Sequence, residues 1–425
     1  MHRSDQGRQL RFFHDVVGER IRIGRSSIMR FPLLTAAGAL VCAAPAAAQT
    51  ARDGSDIIVT ATPLDQTARR LAECLARNCP PKEDIDASLA HAENQFVAGD
   101  YAGARGTLSK AVRRNNGYRR VLPVEVSDLQ RAYGRMIDVG GRPDVARILQ
   151  IDSLDTLKEG LDGDDHRVFL QRALVADQFA QNGRWRAAED IYAQIERKAA
   201  AAGLPQVSAY ALLRRANLLG ALAASDEMYA PRYRALLNRL EKLPGDALTR
   251  YRLAATLLRA KDAAQRHDDT ALEAIVAGID ATRFAQPHLL YAPTIVLGRT
   301  SPSQLPESGA TVPPQWADFR ITIGQNGRVE SAEILRQSPH LEQRWIREVR
   351  NSIVHRRYTP YTGDPTSAPA TRIERFSFVQ DWANNDHPMS RSSRIRGQKA
   401  DVRVAWIDLT PTDTPPAAAP GNAGT

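Results

Sequence analysis

The feature that most constrains this chain is a turn that recurs in register. Gly99-Asp100-Tyr101 leads to Ala104, Gly141-Arg142-Pro143 to Ala146, and Gly183-Arg184-Trp185 to Ala188, each turn 42 residues after the last with alanine five places on. One further step of 42 lands on Ser225 with Ala230, and another on His267 with Ala271 and Leu272. Apolar residues on either side follow a helical period: Leu89, Ala92 and Phe96 before the first turn, Leu108, Ala111 and Val112 after it. A glycine turn reverses the chain, and a small alanine lets two antiparallel helices cross closely. Residues 83–285 therefore read as about five helix-turn-helix units that can bury their apolar faces only by stacking.

Beyond residue 311 the period changes. Phe319, Ile321 and Ile323 alternate with Arg320 and Thr322, and Gln325-Asn326-Gly327 follows as a hairpin turn. Val329 to Leu335 reads as a second strand, Leu341 to Ile353 as a helix with Trp345 and Val349 on its apolar face, and Arg372 to Val379 as a third strand. Val402 to Leu409 is expected to add one more. Between these regions the prolines of 286–311 read as an extended linker. The fold class expected is thus α+β and multidomain, an all-α solenoid followed by a small α/β domain at 312–410.

The N-terminal region reads as export apparatus. Met29-Arg30, the apolar run Leu33 to Ala44 and the small residues Ala46-Ala47-Ala48 make a secretory signal peptide over 29–48, cleaved near Ala48. Residues 1–28 are expected to be an upstream mis-start. The expected location is periplasmic, with no membrane span after cleavage. The formal charge of +9 shrinks to +5 once the seven arginines and three acids of the first 48 residues are set aside, which argues against nucleic acid as a partner. Cys74 and Cys79 would then be the remaining thiols, and Asn78-Cys79-Pro80-Pro81 can fold the second back on the first as a disulfide.

Residues 49–82 read as an extended arm whose β-branched patch Asp56-Ile57-Ile58-Val59-Thr60-Ala61-Thr62 suits strand docking. The tail 411–425 is expected to be disordered. No catalytic motif, cofactor loop or metal-spaced ligand set occurs. Asp162-Gly163-Asp164-Asp165-His166 lacks the spacing of a calcium loop, so no catalytic, cofactor or metal site is assigned. Candidate partner-binding residues are Ile57, Ile58 and Val59 on the arm, and Arg344, Arg347, Arg350, Arg356 and Arg357, a basic set open to an acidic partner.

The Gly-x-aromatic-x-x-Ala pattern resembles the tetratricopeptide repeat, whose familiar unit of 34 residues is shorter than this one; the runner-up is a HEAT-like stack, whose period also covers 42 residues. The strand, strand, helix, strand order, with Gly327-Arg328-Val329, Trp345, Tyr358-Thr359-Pro360 and Phe376-Ser377-Phe378, resembles the TonB C-terminal domain over about 312–380. The resemblances imply a groove for peptides or proteins and a sheet edge that accepts a receptor's TonB box. The box itself looks like Asp56 to Ala61. The resulting expectation is a non-enzymatic periplasmic scaffold binding proteins or peptides. The alternative is an accessory of TonB-dependent outer-membrane transport that recognises receptor boxes.

Overall fold

The computed structural model describes residues 63–281, 284, 286–297, 314–362, 370–381 and 401–410. The proposed mis-start, signal peptide, Ile57-Ile58-Val59 patch, most of the linker and the tail lie outside them. Twelve described α-helices and six strands form a helical array followed by a small antiparallel sheet domain. No described helix is long and apolar enough to cross a membrane.

The array begins with α1 (Leu64–Ala76), inside the stretch expected to be an extended arm. Pro63 stands just before it as the cap residue, and Thr67 and Cys74 bury the face that meets the next helix. The extended arm expected there is corrected: Leu64, Leu71 and Leu75 recur at helical spacing and make this stretch an amphipathic helix. Cys74 and Cys79 are joined, with Cα atoms 5.0 Å apart, and the Cys79 amide donates to the Cys74 carbonyl at 3.0 Å.

Five hairpins follow: α2 (Pro81–Val97) with α3 (Tyr101–Asn115), α4 (Pro123–Val139) with α5 (Pro143–Gly160), and α6 (His166–Gln181) with α7 (Trp185–Ala201). Then come α8 (Pro205–Ala223) with α9 (Ala230–Glu241), and α10 (Thr249–Gln265) with α11 (Asp269–Ala277). Proline opens α2, α4, α5 and α8 where its missing N–H costs nothing.

The turn register is realised in the backbone. Gly99, Gly141, Gly183 and His267 all take positive φ, at 88°, 77°, 74° and 58°. At each, the next amide reaches back to a carbonyl five residues earlier, as from Asp100 to Gln95 at 2.8 Å and Asp268 to Ala263 at 3.0 Å. This closes the helix with a left-handed residue. Ser225 differs: its turn stays right-handed and runs into a short 3₁₀ segment, Glu227–Tyr229, capped by the Asp226 carboxylate. Ala104, Ala146 and Ala188 are buried, as close helix crossing requires.

Consecutive helices pack throughout, and α2 with α4, α6 with α8 and α8 with α10 touch as well. Helices α2 and α4, and helices α6, α8 and α10, therefore stack on one side of the array, the inner layer. One apolar core runs from Phe169 through Leu219 and Tyr233 to Leu258, joining the last three hairpins. A second core, with Ile85, Phe96, Leu108 and Leu129, joins the first two.

The sheet has strand order β3-β2-β5-β6, all neighbours antiparallel, with β2 at Gln315–Ile323, β3 at Val329–Gln337, β5 at Ala370–Asp381 and β6 at Asp401–Asp408. Gly327, at φ 74°, makes the β2–β3 hairpin turn. Helix α12 (Gln343–Val354) lays Trp345, Ile346, Val349 and Ile353 on Phe319, Ile321 and Ile323. Part of the expected linker is structured: Leu289–Tyr291 forms β1, paired with β4 (Arg357–Tyr358). Leu290 there is buried among α10 and α11 residues, so an apolar triplet overrides the surrounding prolines.

Candidate interaction surfaces

The inner layer of the array carries a line of polar side chains. Arg214 on α8 donates from Nε to Asp177 of α6 at 3.0 Å, and the Tyr192 hydroxyl donates to the same carboxylate. Three residues along α8, Asn217 accepts from the Lys261 ammonium of α10 at 3.2 Å. Burial, with the Arg214 charge adding to it, pushes the Lys261 pKa down to about 8. On the outer side, Glu189 pairs with Arg215 and Arg232, and Glu196 with Arg215 and Arg239. These pairs tie α7, α8 and α9 into one ladder.

The sheet domain meets the array at both ends. At the first hairpin, β2 and β5 present the face opposite α12. Trp316 packs on Gly99, where a Cβ would come within 2.6 Å of the indole ring. Arg375 is fully buried and pairs with Asp318, its Nε 2.7 Å from Oδ1. The same guanidinium donates to the Phe96 and Val97 carbonyls at the end of α2 and lies 3.9 Å from the centre of the Trp316 ring. The Tyr101 hydroxyl is 2.8 Å from Ser377 Oγ, and burial raises its pKa. A cation aimed at the last carbonyls of a helix is favoured by the helix dipole. Here one guanidinium satisfies the carboxylate, the helix end and two aromatic faces.

At the last hairpin the contact is of another kind. Ile279, Phe284, Leu253 and Leu257 of the array belong to the domain's own core with Phe319 and Tyr358. Glu273 of α11 accepts from Arg328 at 3.0 Å and Arg357 at 2.6 Å.

Of the predicted basic set, Arg344, Arg347 and Arg350 lie exposed along α12, Arg350 also donating to the Ala332 carbonyl at 3.2 Å. Arg356 and Arg357 are corrected: they are 3% and 8% exposed, and they serve Glu374 and Glu273. Their place at the start of β4, between core and array, turns them inward. Ile57, Ile58 and Val59 lie outside the described residues. In the acidic loop, Asp165 caps α6 by accepting from the Arg167 amide at 2.8 Å, and no group of ligands that could hold a metal occurs among the described residues.

Sequence reasoning missed Trp316, Asp318 and Arg375. A signal existed, since a tryptophan on the polar face of β2 marks a strand covered on both sides. Two strands carry the sheet's edges, β3 and β6.

No protein-family model matches this chain, and no curated protein does. Among solved structures, the crystal structure of BtubC (BKLC) from P. vanneervenii aligns with 51% of this chain and 87% of that one, at 19% identity and a TM-score of 0.37. A likeness that slight carries no argument about what this chain does.

Proposed function

We propose that this chain is a non-enzymatic periplasmic scaffold, a tetratricopeptide-like array whose inner layer binds a peptide or protein, joined to a TonB C-terminal-like domain that binds extended peptides by strand addition. The observation that carries this reading is how the buried charge is used. Arg375 with Asp318, Arg356 with Glu374 and Arg214 with Asp177 are all consumed in intrachain pairs, so charge maintains a shape. An antiparallel sheet backed by one amphipathic helix is the form that strand addition uses. The narrower alternative, recognition of receptor boxes in TonB-dependent transport, rests on the same sheet and on the Asp56 to Ala61 patch. No cofactor enters either reading.

The test is affinity capture from solubilised envelopes with the chain from residue 49 onward. Lys261→Glu with Asn217→Arg alters the inner layer. Loss of a retained protein in that variant places the partner in the array. Retention of outer-membrane receptors by both forms places it on the sheet. Retention of nothing by either removes the scaffold reading.

A further inference from the structure

Among the described lysines, Lys261 alone is not exposed. Its ammonium donates to Asn217 Oδ1 at 3.2 Å, a neutral acceptor, whereas Lys82 and Lys158 pair with the carboxylates of Glu125 and Asp155. The acids near Lys261 are already taken. Asp262, next in sequence, is held by Arg266, and Asp177 across the gap is held by Arg214 and Tyr192. Lys261 therefore has no carboxylate partner among the described residues. Its flanks are apolar: Leu258 belongs to the core of the last three hairpins, and Ala260 and Ala264 to the core shared with α11 and β1. Arg214 lies three residues before Asn217 on α8, so a second cation shares the face that Lys261 meets.

Burial and a neighbouring cation both favour the uncharged amine, which is how proteins make a lysine nucleophilic near neutral pH. The lowering of its pKa to about 8 agrees with that geometry. The surroundings also select among products. A protonated imine would keep the charge beside Arg214, and a neutral imine would lose the N–H that Asn217 accepts. A carbamate would set a new anion near Asp177. An amide is the product that carries no charge and still donates one N–H to Asn217 Oδ1, so the site favours acyl transfer over the alternatives.

We propose that Lys261 is a covalent modification site, whose amine takes a small acyl group from an activated donor, an acyl phosphate or a thioester, between α8 and α10, with Asn217 seating the amide formed. The nitrogen lone pair attacks the acyl carbonyl carbon and a C–N bond forms. The bond from that carbon to the phosphate oxygen or the thiol sulfur breaks, and its electron pair leaves with phosphate or thiolate. The proton lost from nitrogen passes to water. Modification removes an uncompensated charge from the inner layer, and so alters that surface without altering the sequence. This inference is independent of the scaffold reading, because acylation and partner capture are measured separately.

The test exposes the folded chain, from residue 49 onward, to limiting acetyl phosphate in one arm and to the acetyl thioester of N-acetylcysteamine in the other. Modified lysines are mapped by peptide mass spectrometry across a range of pH, with the exposed Lys110 and Lys198 as internal references. Near neutral pH, Lys261 should be acetylated on the order of tenfold faster than either reference, since the gain in free amine outweighs the loss of basicity. Its rate should level off above about pH 8. Asn217→Asp puts a carboxylate where the amide oxygen stands, and should slow Lys261 by roughly tenfold near neutral pH while leaving the references unchanged. A lysine that is merely packed would not respond to that change. The thermal midpoint of the modified protein should rise by about 2–4 °C as the buried charge is lost. Faster reaction in one arm alone identifies the donor class and supports the proposal. Acetylation no faster than at Lys110, or a rate that Asn217→Asp leaves unchanged, overturns it. A lower midpoint after modification overturns the seat assigned to Asn217.

Discussion

The sheet domain touches the array twice, and the two contacts are built differently. At the last hairpin, Leu253, Leu257, Ile279 and Phe284 run into the domain core without a break, and the charges there, Glu273 with Arg328 and Arg357, sit around its margin with Glu273 half exposed. At the first hairpin the contact joins residues some 280 positions apart and centres on a charge with no exposure at all, Arg375 against Asp318 and the end of α2. A domain that follows directly on α11 can extend the existing core. Closing back on α2 and α3 instead requires a lock, because segments so distant in sequence incur a loop-closure cost that only specific contacts offset.

The largest effect should come from opening that lock. Arg375→Met keeps the bulk but leaves Asp318 buried with Arg336 as its remaining partner and strips the α2 carbonyls of their donor. Breaking a buried pair from one side costs about 3 kcal/mol. Chemical denaturation followed by circular dichroism should show that loss, with amide exchange at 96–101 rising while exchange in α8 stays unchanged. A uniform rise through the array would mean the two contacts are one cooperative unit and erase the distinction.

Titration sharpens the contrast at the last hairpin, which carries Lys261. With its pKa lowered from 10.5 to about 8, this lysine is penalised when charged in the folded state. Below about pH 8 both states hold the proton and the folded state bears the full penalty. As pH rises toward 10.5 the unfolded chain binds more protons than the folded one, so stability rises. Lys261→Met should therefore be more stable than the parent at pH 7 by about 2 kcal/mol, after allowing for water that still reaches the ammonium, with the gap closing by pH 10. A constant gap across that range would place the lysine in open solvent.

The third comparison uses one turn in two settings. Gly99 and Gly183 both take positive φ, 88° and 74°, but a Cβ at Gly99 meets the Trp316 ring while one at Gly183 meets nothing within 4 Å. Gly183→Ala should cost about 1 kcal/mol for the backbone alone. Gly99→Ala should cost roughly 2 kcal/mol or more, since the indole must move as well. Equal midpoints for the two would show that Trp316 gives way freely.

Much of the array was legible because its causes are local. Glycines at three turns and alanines five places on fix where helices reverse and cross, and His267 fell in the same register without a glycine by taking a left-handed backbone itself. Ser225 shows the limit, for there the same register ends in a right-handed turn and an aspartate cap. The chain order of the sheet domain, strand, strand, helix, strand, was also legible from alternation and the Asn-Gly turn, whereas the placing of β5 beside β2 was not. Helix α1 is amphipathic in sequence, with Leu64, Leu71, Cys74 and Leu75 at helical spacing, but the β-branched patch just before it points to an extended arm; the helix packs against α2. The lock was invisible for a different reason: Arg375 pairs across the sheet and across 278 residues, and no local pattern distinguishes it from Arg356 or from the exposed Arg344. Arginines of one run of sequence thus end in opposite environments, decided by the element they sit on and the face it turns to the core.

The smallest effect belongs to the margin of the last-hairpin contact. Glu273→Gln removes one carboxylate that serves two arginines, but Glu273 and Arg328 are 50% and 62% exposed, so water and salt already screen much of the attraction. The expected cost is below about 1 kcal/mol. It should shrink further between low and high salt, whereas the loss in Arg375→Met should not. Arg357 is the exception at this margin, 9% exposed on its side chain and 2.6 Å from Glu273. If Glu273→Gln costs as much as Arg375→Met, with no salt dependence, then Arg357 makes this contact a second buried lock and the sheet is clamped equally at both ends. A small, salt-sensitive loss would instead show that apolar continuity alone holds the domain to α10 and α11, leaving the first hairpin as the contact that can open.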